Sequence, residues 1–219
     1  MHIQICAYRE WALAAARAVE ALCAEHRFST AKDPHELERQ LIGAKAPDLI
    51  CAIGWSWIFD RVLAESTWIV GVHPSDLPDF AGGSPIQNQI LEGVTATKNT
   101  LFRITPDLDA GPILGKVPLS LAGHMHEIFA NLTFSTVVLL DRFIRAFPDG
   151  IVQTPQVPSK KLRRLKPEAG RLHPDDFARM DTAKLFDFIR CREDPYPNAY
   201  MEDSAGILHF KRADFREKS

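Results

Sequence analysis

Asp48-Leu49-Ile50-Cys51-Ala52-Ile53 is, past its aspartate, an unbroken apolar run of strand length. Such runs suit a parallel strand covered on both faces, where neither side meets water. Working outward, Ile3–Ala7 and Trp68–Val72 are two more short apolar runs, and the second leads straight into His73. Helical patterns separate them: Trp11–Leu22, rich in alanine, then His35–Ala44 and Ile58–Ala64. Strand, helix, strand, helix, strand up to His73 predicts an α/β fold. The sheet is expected to be open, mostly parallel and doubly wound, with right-handed crossovers. Ligands of such sheets gather beyond the carboxyl ends of the strands, and His73 stands at such an end.

Beyond it, Pro74–Ser84 reads as a loop and Pro85–Glu92 as a helix, with Ser84 as N-cap and Pro85 at the first helical position. Leu101–Ile104 and Ile113–Leu119 are strand candidates, and His126–Arg145 is a long amphipathic helix. Composition changes after Gly150. Thr154–Pro167 carries three prolines and the basic run Lys160–Arg164, and reads as a linker. Asp175–Cys191 has a helical pattern, and Asn198–Phe210 suits a hairpin turning at Asp203-Ser204-Ala205-Gly206. The expected organisation is a main domain over 1–153, a linker over 154–170 and a small C-terminal α/β subdomain over 171–219. The last is too short for a good core of its own. It is expected to pack on the main domain or on a second copy, and a homodimer contact is expected there.

The 219 residues are 46% hydrophobic and 25% charged, which supports a sizeable core and excludes global disorder. Lys plus Arg is 26 and Asp plus Glu is 28, a net charge of −2, so there is no broad electrostatic case for nucleic acid or membrane surface. No apolar run reaches spanning length, and the first residues lack the basic-then-apolar order of a secretory signal. Cys6, Cys23, Cys51 and Cys191 show no C-x-x-C spacing; reduced core thiols and a cytoplasmic protein are expected.

Several chemistries lack their motif. Ala7-Tyr8-Arg9-Glu10-Trp11 follows the first strand where a dinucleotide fingerprint would need G-x-G-x-x-G, and neither a P-loop nor a G-x-S-x-G elbow occurs. The densest polar information lies between His73 and Leu114. Asp109, in a later loop, can converge with His73 at one mouth of a parallel sheet and orient its imidazole. A surface histidine and an aspartate in a tight turn explain the same pattern. His124-x-His126 has metal-ligand character, but a helix start explains it better, and no metal is expected. The run Lys160–Arg164 reads as a diphosphate or RNA contact or as a solvated linker. Trp55, Trp57, Phe59 and Trp68 serve either stacking or the core.

The polar stretch resembles the 10-formyltetrahydrofolate-dependent formyltransferase family. The family pattern N-x-H-x-S-x-L-P, followed by a G-x-x-P helix start, meets Gly71-Val72-His73-Pro74-Ser75-Asp76-Leu77-Pro78 and then Gly82-Gly83-Ser84-Pro85. The pattern L-D-x-G-x-[IV]-L meets Leu108-Asp109-Ala110-Gly111-Pro112-Ile113-Leu114. Gly54-Trp55-Ser56-Trp57-Ile58-Phe59 is similar to the turn that lines the family's pterin pocket. Arg163–Glu168 and Tyr196–Tyr200 are similar to the elements that follow its catalytic domain.

The resemblance implies transfer of a formyl group from 10-formyltetrahydrofolate to a primary amine, on a nucleotide-linked amino sugar, without a metal or nucleic-acid partner. It makes His73 and Asp109 catalytic, with Ser84 and the Gly82-Gly83-Ser84 amides as donors. Ser56, Trp57, Ile58, Phe59, Asp107 and Leu108 fall on the folate, and Arg9, Ser75, Asp76 and Gly83 on the acceptor. Arg9 would meet a phosphate or the folate glutamate tail, with a surface ion pair as the alternative. The sequence departs from the family at Gly71, where the family has its catalytic asparagine. Asn88 is the candidate replacement carboxamide. A 10-formyltetrahydrofolate hydrolase, or a non-catalytic folate- or nucleotide-binding relative, is the alternative that this departure raises.

Overall fold

Every apolar run named above becomes a buried strand. The computed structural model describes residues 1–43, 45–157 and 161–216. Ala44, at the end of an expected helix, and Lys160, at the start of the basic run, lie outside the described residues, as do positions 158, 159 and 217–219. Strands β1 (His2–Cys6), β2 (Arg27–Ala31), β3 (Leu49–Ala52) and β4 (Ile69–His73) run parallel. β5 (Ala96–Arg103) and β6 (Ile113–Ser120) complete the sheet antiparallel, in the order β2-β1-β3-β4-β5-β6. The sheet is thus mostly parallel, with helices on both faces.

Alternation along the strands sorts the core. Ile3, Ile5, Leu49, Cys51 and Val70 point to the face covered by α1 (Glu10–Leu22) and α5 (Met125–Ala146). Cys6, Ile50 and Ile69 point to the opposite face, under α2 (Pro34–Leu41) and α3 (Arg61–Ser66). By the same period of two, Gly71 and His73 belong to the α2/α3 face. β1 is the turning point of the winding. From it the chain goes to β2 on one side and returns to β3 on the other, which opens a crevice at the carboxyl ends of β1 and β3.

Several elements differ from expectation. β2 carries no apolar run because it is an edge strand, and its polar middle is used: Ser29 Oγ donates to Gln4 Oε1 at 2.6 Å. β5 begins at Ala96, ahead of the apolar Leu101–Ile104, because its buried polar residues find partners. Asn99 donates to Ser135 and Thr136 Oγ, and Thr100 donates to Ser75 O. α3 starts three residues later than Ile58, because Asp60 caps it by accepting from Val62 N at 2.8 Å. The stretch 175–191 breaks in two, α6 (Asp176–Arg179) and α7 (Thr182–Arg190), because Asp181 caps the second helix through Lys184 N.

The C-terminal segment ends in the expected hairpin, β7 (Ala199–Glu202) with β8 (Ile207–Phe210). It packs on the main domain. Cys191 joins Ile86 and Ile90 of α4 (Pro85–Leu91), Leu119 and Ile128 in one cluster. The Arg190 guanidinium, buried, donates through Nη1 to Leu121 O (2.7 Å) and Gly123 O (2.8 Å) and pairs with Asp187. Glu193 grips the start of α5 through His124 Nδ1 (2.7 Å) and Met125 N (3.1 Å). This explains His124, and no group of three His, Cys, Asp or Glu that could hold a metal exists among the described residues. No described helix is long and apolar enough to cross a membrane.

Candidate active site

The chain leaves β1 at Tyr8-Arg9, β3 at Gly54-Trp55 and β4 at His73-Pro74, all at one edge of the sheet. A cavity of 760 Å³ lies there, of a size suited to a small-molecule site. One lobe is apolar and sits over the α2/α3 face, with Phe59, Ala64, Ile104 and Leu108 among its walls. The other sits over the α5 side, where Trp11, Ile86, Gln87, Phe129 and Tyr196 line it.

His73 and Asp109 meet in this cavity. Nδ1 of the imidazole stands 3.8 Å from Asp109 Oδ2, an ion-pair distance rather than a hydrogen bond. The other ring nitrogen, Nε2, is 2.9 Å from Phe80 O. A carbonyl only accepts, so Nε2 carries the proton, and in the neutral ring Nδ1 is the free base. Asp109 is held in turn by Gly82 N, which donates to Oδ2 at 2.9 Å. Both side chains are nearly buried, at 8% and 13% exposure. Phe80, Ser84 and Asp109 have φ of 54°, 52° and 50°, the positive-φ non-glycine residues among those described, and all three border this site. Such backbone costs about 1–3 kcal/mol per residue and persists where surroundings impose it, characteristically at active sites.

The formyl transferase family matches residues 6–128, more than half of the chain. The chain belongs to that family. Methionyl-tRNA formyltransferase of Methylococcus capsulatus is 39% identical over 126 residues, 52% of this chain and 40% of that protein. The chain therefore spans well under two thirds of that relative. Among solved structures, methionyl-tRNA formyltransferase from Clostridium thermocellum has a TM-score of 0.85 at 28% identity, over 99% of this chain and 94% of that one. A 4-N formyltransferase from Francisella tularensis shares the fold, with a TM-score of 0.80 at 14% identity, over 99% of this chain and 98% of that one.

In this member of the family the other expected site residues divide. Arg9, Ser56, Trp57, Ile58, Phe59, Gly83, Ser84 and Leu108 line the cavity. Asp107, Ser75, Asp76 and Asn88 do not. Ser75 is fully buried and donates to Asp79 O at 2.6 Å, so it shapes the loop after β4. Asp76 pairs with Lys98 at 3.0 Å and with Lys116. Burial raises its carboxyl pKa, but the hydrogen bonds from the two lysines outweigh that and hold it below the usual carboxylate value. The Asn88 amide donates to Gly83 O at 2.9 Å, so it braces the helix start and is no substitute for the missing carboxamide. Of the three loop amides, Gly82 N is taken by Asp109 and Gly83 N by Leu162 O at 2.8 Å. Ser84 N donates to no described residue, and Ser84 Oγ accepts from Leu165 N.

Gly71 does not leave an empty place. A Cβ there would lie 3.0 Å from Ile104 Cδ1 and 3.3 Å from Phe102 Cε1. Any side chain there presses first on Ile104, which must give by a few tenths of an ångström. Gly71→Asn is therefore expected to cost about 1–3 kcal/mol, the scale of overpacking, and to give no gain in turnover. Thermal denaturation alongside the amine assay checks both; a stable and faster Gly71→Asn variant contradicts the packing argument.

The residues expected to form a linker are part of the site. Leu162 pairs with Gly82 as an added bridge, and Leu162 N donates to Ala81 O at 2.8 Å. Gly82 has φ of +100°, and a Cβ on it would run into Leu162 O. This strap delivers Arg164, Leu165 and Lys166 to the cavity wall. Tyr196, Gln87 and Phe129 were not singled out as ligand contacts from the sequence. The basic run and the Tyr196-Pro197 resemblance were the available signals for the strap and Tyr196.

Proposed function

We propose that this formyl transferase moves the formyl group of 10-formyltetrahydrofolate to a primary amine on a nucleotide-linked amino sugar. The observation that carries the reading is the His73–Asp109 pair in the wall of one cavity that reaches over both faces of the sheet. The pterin ring suits the apolar lobe, and the amine enters from the other. The amine nitrogen bonds to the formyl carbon and sheds a proton, which the free Nδ1 of His73 accepts. Asp109 faces the imidazolium so formed. The tetrahedral oxygen needs a donor in a dry site, and Ser84 N–H and Oγ–H are the uncommitted ones. The bond from formyl carbon to folate N10 then breaks, and N10 leaves with the proton that His73 returns. Acyl transfer of this kind needs no metal.

The test is incubation with 10-formyltetrahydrofolate, with and without a panel of amino sugars, amino acids and aminoacyl-tRNA, read by mass shift. Turnover only with an amine supports transfer. Turnover in water alone makes the protein a hydrolase, and binding without turnover makes it a sensor. A formyl adduct on aminoacyl-tRNA and none on sugars overturns the acceptor assigned here.

Leu108 gives a direct check of the donor lobe. It is 52% exposed at the cavity rim, so its replacement costs the fold little. Leu108→Ser is expected to weaken a folate analogue about tenfold by calorimetry, part of the 1.5–3 kcal/mol that covering a leucine is worth. Unchanged affinity removes the folate from this lobe.

The same reading places the protein in the cytoplasm, consistent with four buried free thiols, and makes it a homodimer. Ile207 and Leu208 of β8 are 56% and 61% exposed, leaving an apolar side chain open on each face of the hairpin. Light scattering at micromolar concentration should give twice the chain mass, and a monomer contradicts the contact.

A further inference from the structure

Asp109 stands on a loop that little else holds. Pro106, Asp107, Leu108 and Ala110 are exposed around it. Within the loop the bonds are long: Ala110 N donates to Asp107 O at 3.4 Å, and Thr105 Oγ1 donates to the same oxygen at 3.3 Å. Gly82 N holds the carboxylate, but no hydrogen bond joins it to His73, 3.8 Å away. The main chain at Asp109, with φ of 50°, therefore decides where that carboxylate points. A backbone of this kind persists only where its surroundings hold it.

Gln156 supplies the hold. It lies in the stretch that reads as a linker, yet Thr154 pairs antiparallel with Ile113, donating to its carbonyl at 2.9 Å and accepting from its N–H at 2.8 Å. Two residues on along one partner and two back along the other set Gln156 beside Gly111. There its side-chain Nε2 lies 2.5 Å from Gly111 O and 3.3 Å from Asp109 O. A carboxamide NH₂ carries two hydrogens, one for each carbonyl. Among the described residues, no other side chain from outside 105–112 bonds the main chain of 107–111. Gly111 is confined from the far side as well, because a Cβ on it would collide with Arg103 O at the end of β5. The amide thus closes a bracket around Asp109.

We propose that Gln156 is the positioning residue of Asp109. Its amide ties the Asp109 and Gly111 carbonyls together, keeps Asp109 in its left-handed conformation and so aims the carboxylate at Nδ1 of His73. Without the amide the loop is free to turn toward the extended and right-handed regions that a non-glycine residue prefers. That turn carries the side chain away from the imidazole. The charge facing the imidazolium is then lost to water, although Asp109 itself is intact. What Asp109 contributes to turnover rests on the formyl-transfer reading; the bracket that holds it does not.

Variants of the full chain test this. Gln156→Met keeps the length of the side chain and removes both donors, and Gln156→Glu keeps its shape but sets a carboxylate against two carbonyls. Gln153→Met makes the first exchange at an exposed position of the same segment. The readout that needs no substrate is the nitrogen NMR signal pair of the His73 ring. Both Gln156 variants are expected to move it in the direction that Asp109→Asn moves it, and Gln153→Met should leave it at the parent position. In single-turnover assays with the best amine, both Gln156 variants should lower the rate about 10–10²-fold, the scale of a reacting group misplaced by about an ångström. In an Asp109→Asn background, Gln156→Met should add less than about twofold, since no charge is left to aim. Ring signals unchanged in both Gln156 variants overturn the proposal. So does a full, additive loss in the Asp109→Asn background, which would make Gln156 a general support of the fold. If the parent turns over no amine yet the Gln156 variants move the ring signals, the formyl-transfer reading fails and the positioning role stands.

Discussion

Replacing His73 with alanine is expected to lower turnover by about 10²–10⁴, the usual scale for losing a positioned acid or base. Asp109→Asn should fall in the same range, because Asp109 faces the one ring nitrogen free to take a proton. The asparagine keeps the size of the side chain, so the loss reports charge rather than packing. The two residues act as a unit, so the double variant should be little worse than the poorer single one. Single-turnover rates with the best amine decide it. Losses below about tenfold in each variant, adding in the double, would remove the pair from the chemistry.

The largest effect on stability is expected at Arg190→Met. Its guanidinium, on a residue 3% exposed, reaches two backbone carbonyls of the turn before α5 and pairs at 2.6 Å with Asp187, which is partly buried. Methionine replaces the stem but leaves the carboxylate and both carbonyls without that donor. Breaking a buried pair from one side costs about 3–5 kcal/mol. Urea unfolding followed by circular dichroism measures this, and a loss under about 1 kcal/mol would show that water or other groups satisfy those acceptors.

How much of this was legible in the sequence depends on where the information resides. β1, β3 and β4 were readable because both their faces are covered, so the apolar run is continuous. β2 and the first half of β5 were not, since Ser29, Asn99 and Thr100 owe their places to partners far along the chain. His73 and Asp109 were named as a pair from their loops, and the structure places them together. Ser75, Asp76 and Asn88 carry the right chemistry in the right motif, but each side chain is turned to a local bond. Residue type shows what a group can do; only the backbone direction shows what it faces. The strap was unreadable for a related reason. Leu162 contributes one backbone bridge to Gly82, and main-chain pairing leaves little trace in composition.

That bridge also fixes an order of events. Gly82 must wait for a segment some eighty positions later, and the cavity wall must wait longer still, for Tyr196. A chain emerging from the ribosome can fold its sheet and bring His73 to Asp109 before either arrives, since both lie within the first 120 residues of the sheet domain. The wall that separates the site from water is the last part to be made. Until then His73 and Asp109 stand open to solvent. Closing so long a loop slows folding more than it costs stability, so completion of the cavity sets when this protein can first begin to work.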